Sequence, residues 1–229
     1  MLSAIAIVPS APVMVAELAG DAAAETAALR AAATTAVAAL GPKWIALGVA
    51  ATDGRYGPES RGTFAGYGVD VPVALSAAAL TAAATPLPLC ALVAGWLRGL
   101  AAPDAEIEVH ALDADLDPET ARRRGAALRA ELDRTDAPVG VLVIADGFHT
   151  LSPGAPGGHV PESVSAQAEL DDALAAGDTA ALPTTPRPVV GRAAYQALGG
   201  LAEPRPRAVE ELYRGAPYGV GCFVGVWTP

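Results

Sequence analysis

Short apolar runs alternate with longer alanine-rich or charged segments along the chain. Three runs, Ala4–Val8, Trp44–Ala51 and Val139–Ala145, have the length and the apolar content of buried strands. In Glu106–Leu112 apolar and polar residues alternate, which predicts a strand with one exposed face. Tyr218–Trp227 predicts a final strand in which glycine and apolar residues alternate.

The segments between these runs have helical patterns. The predicted helices are Gly20–Leu40, Leu89–Leu100, Pro118–Arg134, Val164–Ala176 and Gly191–Leu201. Strands that alternate with helices predict an α/β fold whose central sheet is mostly parallel or mixed. No internal repeat and no linker divides the sequence, so we predict a single domain over residues 1–229.

Composition narrows the classes of partner. The 229 residues are 52% hydrophobic and 17% charged, with a formal net charge of −10. This acidic balance argues against nucleic acid and anionic membranes as partners. No apolar stretch approaches the roughly 18–20 residues of a membrane span, and no targeting segment is evident, so a cytoplasmic location is expected. Cys90 and Cys222 match no metal-binding spacing and are predicted to be reduced core residues.

Candidate chemistry is concentrated after the run Val139–Ala145. Asp146 and His149 follow it directly in a tight polar turn, and His159 comes later in a glycine- and proline-rich loop. Ligands of α/β sheets bind at the carboxyl ends of the strands. Histidine there can act as an acid, a base or a metal ligand near neutral pH. His149 and Asp146 are therefore the candidate catalytic residues.

A second candidate region follows the run Trp44–Ala51. The glycine-rich stretch Gly54–Gly68 predicts a long loop or a hairpin, and such loops at strand ends are often functional. Asp53 precedes it, and Arg55 and Arg61 lie within it, where a guanidinium could bind an anion. No phosphate-binding loop, dinucleotide fingerprint, nucleophile elbow or zinc-protease motif occurs in the chain.

Two segments resemble a known family. Ile7–Leu18, with the sequence IVPSAPVMVAEL, and Leu142–Gly158 are similar to motifs of the class III extradiol ring-cleavage dioxygenases, the LigB-like superfamily to which the Memo proteins are related. The resemblance implies a three-layer α/β domain with helices on both faces of the sheet. It also implies an Fe(II) site built from two histidines and one glutamate, and a histidine that acts as acid and base.

The positions that would carry the family's metal are altered in this chain. The first ligand falls on Ser10, and the second falls near Ala51–Asp53, where there is no histidine. The glutamate has no clear counterpart, although Glu210 and Glu211 lie in the C-terminal part. A serine is a poor ligand for Fe(II) beside neutral imidazole. His149 occupies the acid/base position, so the resemblance predicts a retained pocket without the standard iron site.

Several functions stay open at this level. The first hypothesis is a LigB-like protein that binds a small molecule or a protein partner through a pocket at the strand ends, without a cofactor. A metal-free enzyme using His149 as acid/base, or a dioxygenase with Fe(II) or another divalent metal on substitute ligands, is the alternative. The candidate pocket residues are Ser10, Asp53, Arg55, Arg61 and His159.

Two further expectations concern assembly and the histidines. A homodimer is expected, because the family often forms dimers and the apolar fraction is high. One alternative metal site would use His149, His159 and Asp146, since imidazole and carboxylate groups can bind divalent metals. The third histidine, His110, is predicted to be an exposed strand residue.

Overall fold

The structure, a computed structural model, describes all 229 residues and is built around one seven-stranded mixed sheet. Its strands are β1 (Leu2–Val8), β2 (Lys43–Ala50), β3 (Gly54–Tyr56), β6 (Glu106–Asp113), β7 (Val139–Ile144), β8 (Ala208–Gly215) and β9 (Cys222–Thr228). The order across the sheet is β3-β6-β2-β7-β1-β9-β8. A separate two-stranded ribbon pairs β4 (Arg61–Thr63) with β5 (Pro72–Ala74).

Helices cover both faces of the sheet. They are α1 (Ala16–Ala19), α2 (Ala27–Ala38), α3 (Leu89–Ala101), α4 (Pro118–Leu132), α5 (Glu162–Ala176) and α6 (Arg192–Leu201). One apolar cluster of 30 buried residues joins α2 and α3 to the first face, and a cluster of 25 joins α4, α5 and α6 to the second. The three layers and the mixed sheet confirm the predicted fold class.

The direction of the strands determines where side chains can meet. The four neighbours β6, β2, β7 and β1 are parallel, whereas β3, β9 and β8 run antiparallel to their partners. The carboxyl ends of the four parallel strands therefore lie along the same edge of the sheet. Because β7 lies between β1 and β2, the turn that follows β7 is flanked by the segments that follow both of those strands.

Local sequence explains where the elements depart from the predictions. The predicted helix Gly20–Leu40 starts with a separate 3₁₀ turn, and α2 begins only at Ala27. The final strand begins at Cys222 because Tyr218 adopts a φ of 55° in the turn before it. The edge strand β8 is absent from the predictions. Its exposed neighbours Glu210 and Glu211, together with a register shift after Glu211, interrupt the alternation that identifies a strand.

Other predictions agree with the structure. The stretch Gly54–Gly68 forms short strands, of which β3 adds to the edge of the main sheet and β4 pairs with β5. Cys90 and Cys222 are both buried and free of a disulfide. No helix has the length and hydropathy needed to cross a lipid bilayer.

Candidate functional site

The ends of the adjacent parallel strands β1 and β7 are joined by side-chain hydrogen bonds. Ser10 follows β1 and Asp146 follows β7. The Ser10 backbone N–H donates to Oδ1 of Asp146 at 2.8 Å, and the Ser10 hydroxyl donates to Oδ2 at 2.5 Å. Both carboxylate oxygens of Asp146 are therefore occupied by one residue. We call Ser10, Asp146 and His149 the strand-end site.

Asp146 is buried without a cationic partner. Its side chain forms no ion pair, and burial raises the pKa of Asp146 to about 6. The two hydrogen bonds from Ser10 act in the opposite direction, because they stabilise the carboxylate form. The Asp146 carboxyl group is thus held by Ser10, and Ser10 stands at the position where the resemblance would place the first metal ligand.

The backbone around Asp146 is fixed by the start of α6. The Gly191 N–H donates to the Asp146 carbonyl at 2.8 Å, and the Tyr195 hydroxyl donates to the Ala145 carbonyl at 2.9 Å. A Cβ atom at Gly191 would lie 2.6 Å from the Ala145 Cα and 2.9 Å from the Asp146 nitrogen. Only glycine permits this approach, so α6 packs directly against the turn.

A buried polar pair on α5 completes this support. Oε1 of Gln167 accepts the Phe148 backbone N–H at 2.8 Å, and the Gln167 amide donates to Asp171 at 2.8 Å. Burial raises the pKa of Asp171 to about 6. Three of these residues were not predicted from the sequence, namely Gln167, Asp171 and Tyr195. A signal was present for the first two, since they lie four residues apart on the helix face that also carries the buried Leu170.

His149 is enclosed by its own loop. A Cβ atom at Gly157 would lie 2.5 Å from Nε2 of His149, and the Gly157 N–H donates to the His149 carbonyl at 2.9 Å. Nδ1 of His149 is fully enclosed and has no hydrogen-bond partner within the protein. Such atoms are rare in folded proteins, so this nitrogen is the unusual feature of the strand-end site.

The alternative metal site of His149, His159 and Asp146 is not formed. His159 is exposed in the loop, Asp146 is directed to Ser10, and no group of three or more histidine, cysteine or acidic side chains has an arrangement that could hold a metal ion. The loop turns back over His149 at Gly157, which leaves the second histidine on the outer surface.

The other predicted pocket residues lie in different places. Asp53 accepts two hydrogen bonds from Arg124 of α4, at 2.6 and 2.8 Å, and one from the Asp113 N–H at 2.9 Å. The Arg124 guanidinium is the main cause that lowers the pKa of Asp53 to about 2. Arg55 forms an ion pair with Glu108 at 3.2 Å, and Arg61 donates to the Ala82 carbonyl at 2.9 Å.

The C-terminal acids are also remote from the strand-end site. Glu210 is exposed on the edge strand β8, and Glu211 on the same strand forms an ion pair with Arg214 at 2.8 Å. Since β9 separates β8 from β1, neither glutamate follows one of the parallel strands.

An open groove of about 470 Å³ lies between α4 and the β3 edge of the sheet. We call it the α4 groove. Asp53 and Arg55 both contribute to its lining, which also includes His110, Arg124, Glu131, Leu47, Leu112 and Leu128. None of the four most prominent surface cavities, of which the α4 groove is one, is lined by Ser10, Asp146 or His149.

His110 corrects one prediction. Its side chain was expected to be exposed, but only 12% of it is accessible. The physical reason is that His110 is on β6, where β3 adds beside it and Glu108 binds Nε2 at 2.7 Å. The alternation in Glu106–Leu112 indicated the polar face correctly, whereas the added edge strand could not be seen from that segment alone.

Comparisons with known proteins identify a fold and no family. No known protein family matches the chain, and no curated protein matches it. Among solved structures, the crystal structure of the uncharacterized protein JW3007 from Escherichia coli K12 has a TM-score of 0.57 and 9% sequence identity. The match covers 98% of this chain and 99% of that chain. It therefore supports the α/β architecture over the full length.

Proposed function

We propose that this protein is a LigB-like protein that binds a small molecule and does not use the Fe(II) site of the extradiol dioxygenases. The observation that carries the proposal is the pair of hydrogen bonds from Ser10 to Asp146. A metal ligand would have to present a lone pair to the open space beyond the strand ends. Here the hydroxyl at the first ligand position donates a hydrogen bond to the Asp146 carboxylate, which holds its oxygen against a neighbouring side chain.

The residues at the remaining ligand positions do not fit Fe(II) either. The segment after β2 provides Asp53, whose oxygens accept hydrogen bonds from Arg124 and from the Asp113 backbone. Imidazole and carboxylate ligands with open coordination positions are what non-haem Fe(II) requires. His149 alone would remain, and its Nδ1 is enclosed within the protein.

The α4 groove supports the binding part of the proposal. Its volume of about 470 Å³ falls in the range of roughly 300–1,000 Å³ that small-molecule sites occupy. It combines apolar walls with a few polar groups, as such sites do. Two residues of the sequence-derived pocket, Asp53 and Arg55, are part of its lining.

Metal analysis of protein purified without oxygen tests the proposal. We expect far less than one iron per chain and no cleavage of catechol after Fe(II) is added. An active extradiol dioxygenase purified in parallel serves as the control for handling. Stoichiometric iron together with ring cleavage would contradict the proposal.

A metal-free enzyme is a second candidate, favoured by the enclosed and unpartnered Nδ1 of His149. In this hypothesis His149 transfers a proton to or from a substrate, because an imidazole can do so near neutral pH. His149→Ala is then expected to abolish any turnover found in a substrate screen. His159→Ala, at an exposed position of the same loop, is the matched control and should retain it. Equal turnover in both variants would remove this candidate.

A further inference from the structure

We infer that the α4 groove binds a small organic ammonium ion whose apolar part packs against the leucines of the groove. This inference rests on the proposed small-molecule function and specifies the chemical class of the ligand. Three features carry it, namely an unpartnered acceptor on His110, an unpaired carboxylate on Glu131 and an apolar base.

The free nitrogen of His110 is a hydrogen-bond acceptor. Nε2 contacts the Glu108 carboxylate at 2.7 Å, and a carboxylate can only accept, so Nε2 carries the proton. In the neutral imidazole Nδ1 is then the acceptor. Nδ1 of His110 has no hydrogen-bond partner in the protein. It is not fully enclosed either, because the only fully enclosed side-chain atom without a partner is Nδ1 of His149.

The charges in the groove leave one negative group unpaired. Arg124 pairs with Asp53 inside the groove, and Arg55 pairs with Glu108, which lies outside its lining. Glu131 lines the groove from α4 and forms no ion pair and no side-chain hydrogen bond. The adjoining cavity, which shares Glu131, adds Lys43, Glu106 and Glu108, so it contributes no excess of positive charge.

The groups that remain open favour a cation over an anion. An ammonium ion carries a positive charge and several N–H donors, which match the Glu131 carboxylate and Nδ1 of His110. An anion would need free donors, but Arg124 uses two of its nitrogens on Asp53. Arg55 keeps free N–H groups, but its charge is already offset by Glu108 at 3.2 Å.

The base of the groove is apolar. Leu47, Leu112 and Leu128 come from β2, β6 and α4, and each is almost fully buried at the base of the groove. Contact with this small exposed area favours binding by about 25 cal/mol for each Å² of apolar area removed from water. A bare inorganic cation would gain nothing from this apolar base.

Calorimetric titration with hexylamine, hexanoate and hexanol tests the inference, because these probes share a chain and differ in charge. We expect hexylamine at neutral pH to bind at least about 10-fold more tightly than either of the others, a difference of about 1.4 kcal/mol. Glu131→Gln should remove most of that preference. Glu119→Gln, at an exposed position on the same helix that pairs with Arg122, should leave it unchanged.

Failure of the inference and failure of the proposed function give different results. Tighter binding of hexanoate, lost in Arg55→Gln, would overturn the ammonium class and leave the small-molecule function intact. Equal affinity of hexylamine for Glu131→Gln and the original protein would also overturn the inference. If none of the probes binds, and a fragment screen by NMR shifts no methyl signal of Leu47, Leu112 or Leu128, the proposed binding function fails as well.

Discussion

The strand-end site and the α4 groove contain similar polar residues but differ in how many of their hydrogen-bonding groups are used. At the strand ends both oxygens of Asp146 accept from Ser10, and α6 packs on the turn through Gly191. In the groove Glu131 has no partner, and His110 keeps one nitrogen free. The edge of the sheet where chemistry is expected is therefore closed by internal bonds, whereas a neighbouring groove offers groups to a ligand.

Replacing a glycine in each region should give the largest difference. In Gly191→Ala the new Cβ would lie 2.4 Å from the Ala145 Cβ, so we expect a loss of at least about 3 kcal/mol in unfolding free energy. In Gly54→Ala, at the groove, the nearest atom is 3.0 Å away on the Tyr56 ring, which can turn aside. A loss below about 1 kcal/mol is expected there. Urea denaturation measures both losses, and equal losses would contradict the expected difference between the two regions.

Asp146→Asn should change how stability depends on pH. The pKa of Asp146 in the folded protein, about 6, lies above its ordinary value of 3.8. Its contribution to stability is therefore complete below about pH 4 and is lost as the pH rises through 6. Relative to Asp146→Asn, the original protein should lose about 3 kcal/mol over the whole transition, most of it between pH 4 and pH 7. Parallel curves for the two proteins from pH 4 to 7 would contradict a buried carboxyl of this kind.

Asp171→Asn separates the pH effect of Asp146 from that of a second buried carboxyl group, which changes stability with pH in the same direction. Burial also raises the pKa of Asp171 to about 6, so its contribution is lost over the same pH range. The double variant Asp146→Asn/Asp171→Asn should show a flatter pH dependence than either single variant. Thermal denaturation followed by circular dichroism across the pH range gives the comparison.

The sequence allowed the architecture to be predicted more fully than the site. Apolar runs identified β1, β2 and β7, because a strand buried on both faces carries its signal in its own residues. The edge strand β8 was missed because the exposed Glu210 and Glu211 carry no such signal. The turn that contains Asp146 and His149 was predicted as well, because it directly follows the apolar run that identified β7.

The partners of the site residues depended on contacts that no single segment contains. Asp146 pairs with Ser10 across 136 positions, and Asp53 pairs with Arg124 across 71. Asp53 was expected in one pocket with Ser10, because the resemblance places the first two metal ligands at these positions, but Arg124 of α4 binds the Asp53 carboxylate. Tyr195 and Gln167 were missed because their role is to bond the backbone of a distant turn.

Tyr195→Phe should have an intermediate effect confined to the strand-end side. The variant removes the hydroxyl that donates to the Ala145 carbonyl and leaves that buried acceptor without its partner. A loss of about 1–2 kcal/mol is expected, as for a buried hydrogen bond. Ligand binding in the α4 groove should be unchanged. A drop in groove affinity without a loss of stability would show that the two regions are coupled.

Asp53→Asn should have the smallest effect, because the ion pair with Arg124 is about half exposed. Exposed pairs contribute roughly 0.2–1 kcal/mol, and salt reduces that further. The pKa of Asp53 lies near 2, so its contribution is present above about pH 4 and is lost as the pH falls towards 2. A double-mutant cycle with Arg124→Ala at low and high salt measures the coupling. A coupling unaffected by salt would mean that the pair is shielded from solvent.

We propose that the carboxyl ends of β1 and β7, which Ser10 and Asp146 close, do not hold iron. The direct test is a crystal soaked in Fe(II) without oxygen, with anomalous scattering recorded at the iron absorption edge. We expect no iron peak beside Ser10, Asp146 and His149, and a Ser10 hydroxyl oxygen that still lies within hydrogen-bonding distance of the Asp146 carboxylate. An iron peak within bonding distance of His149, with Asp146 turned away from Ser10, would contradict the claim.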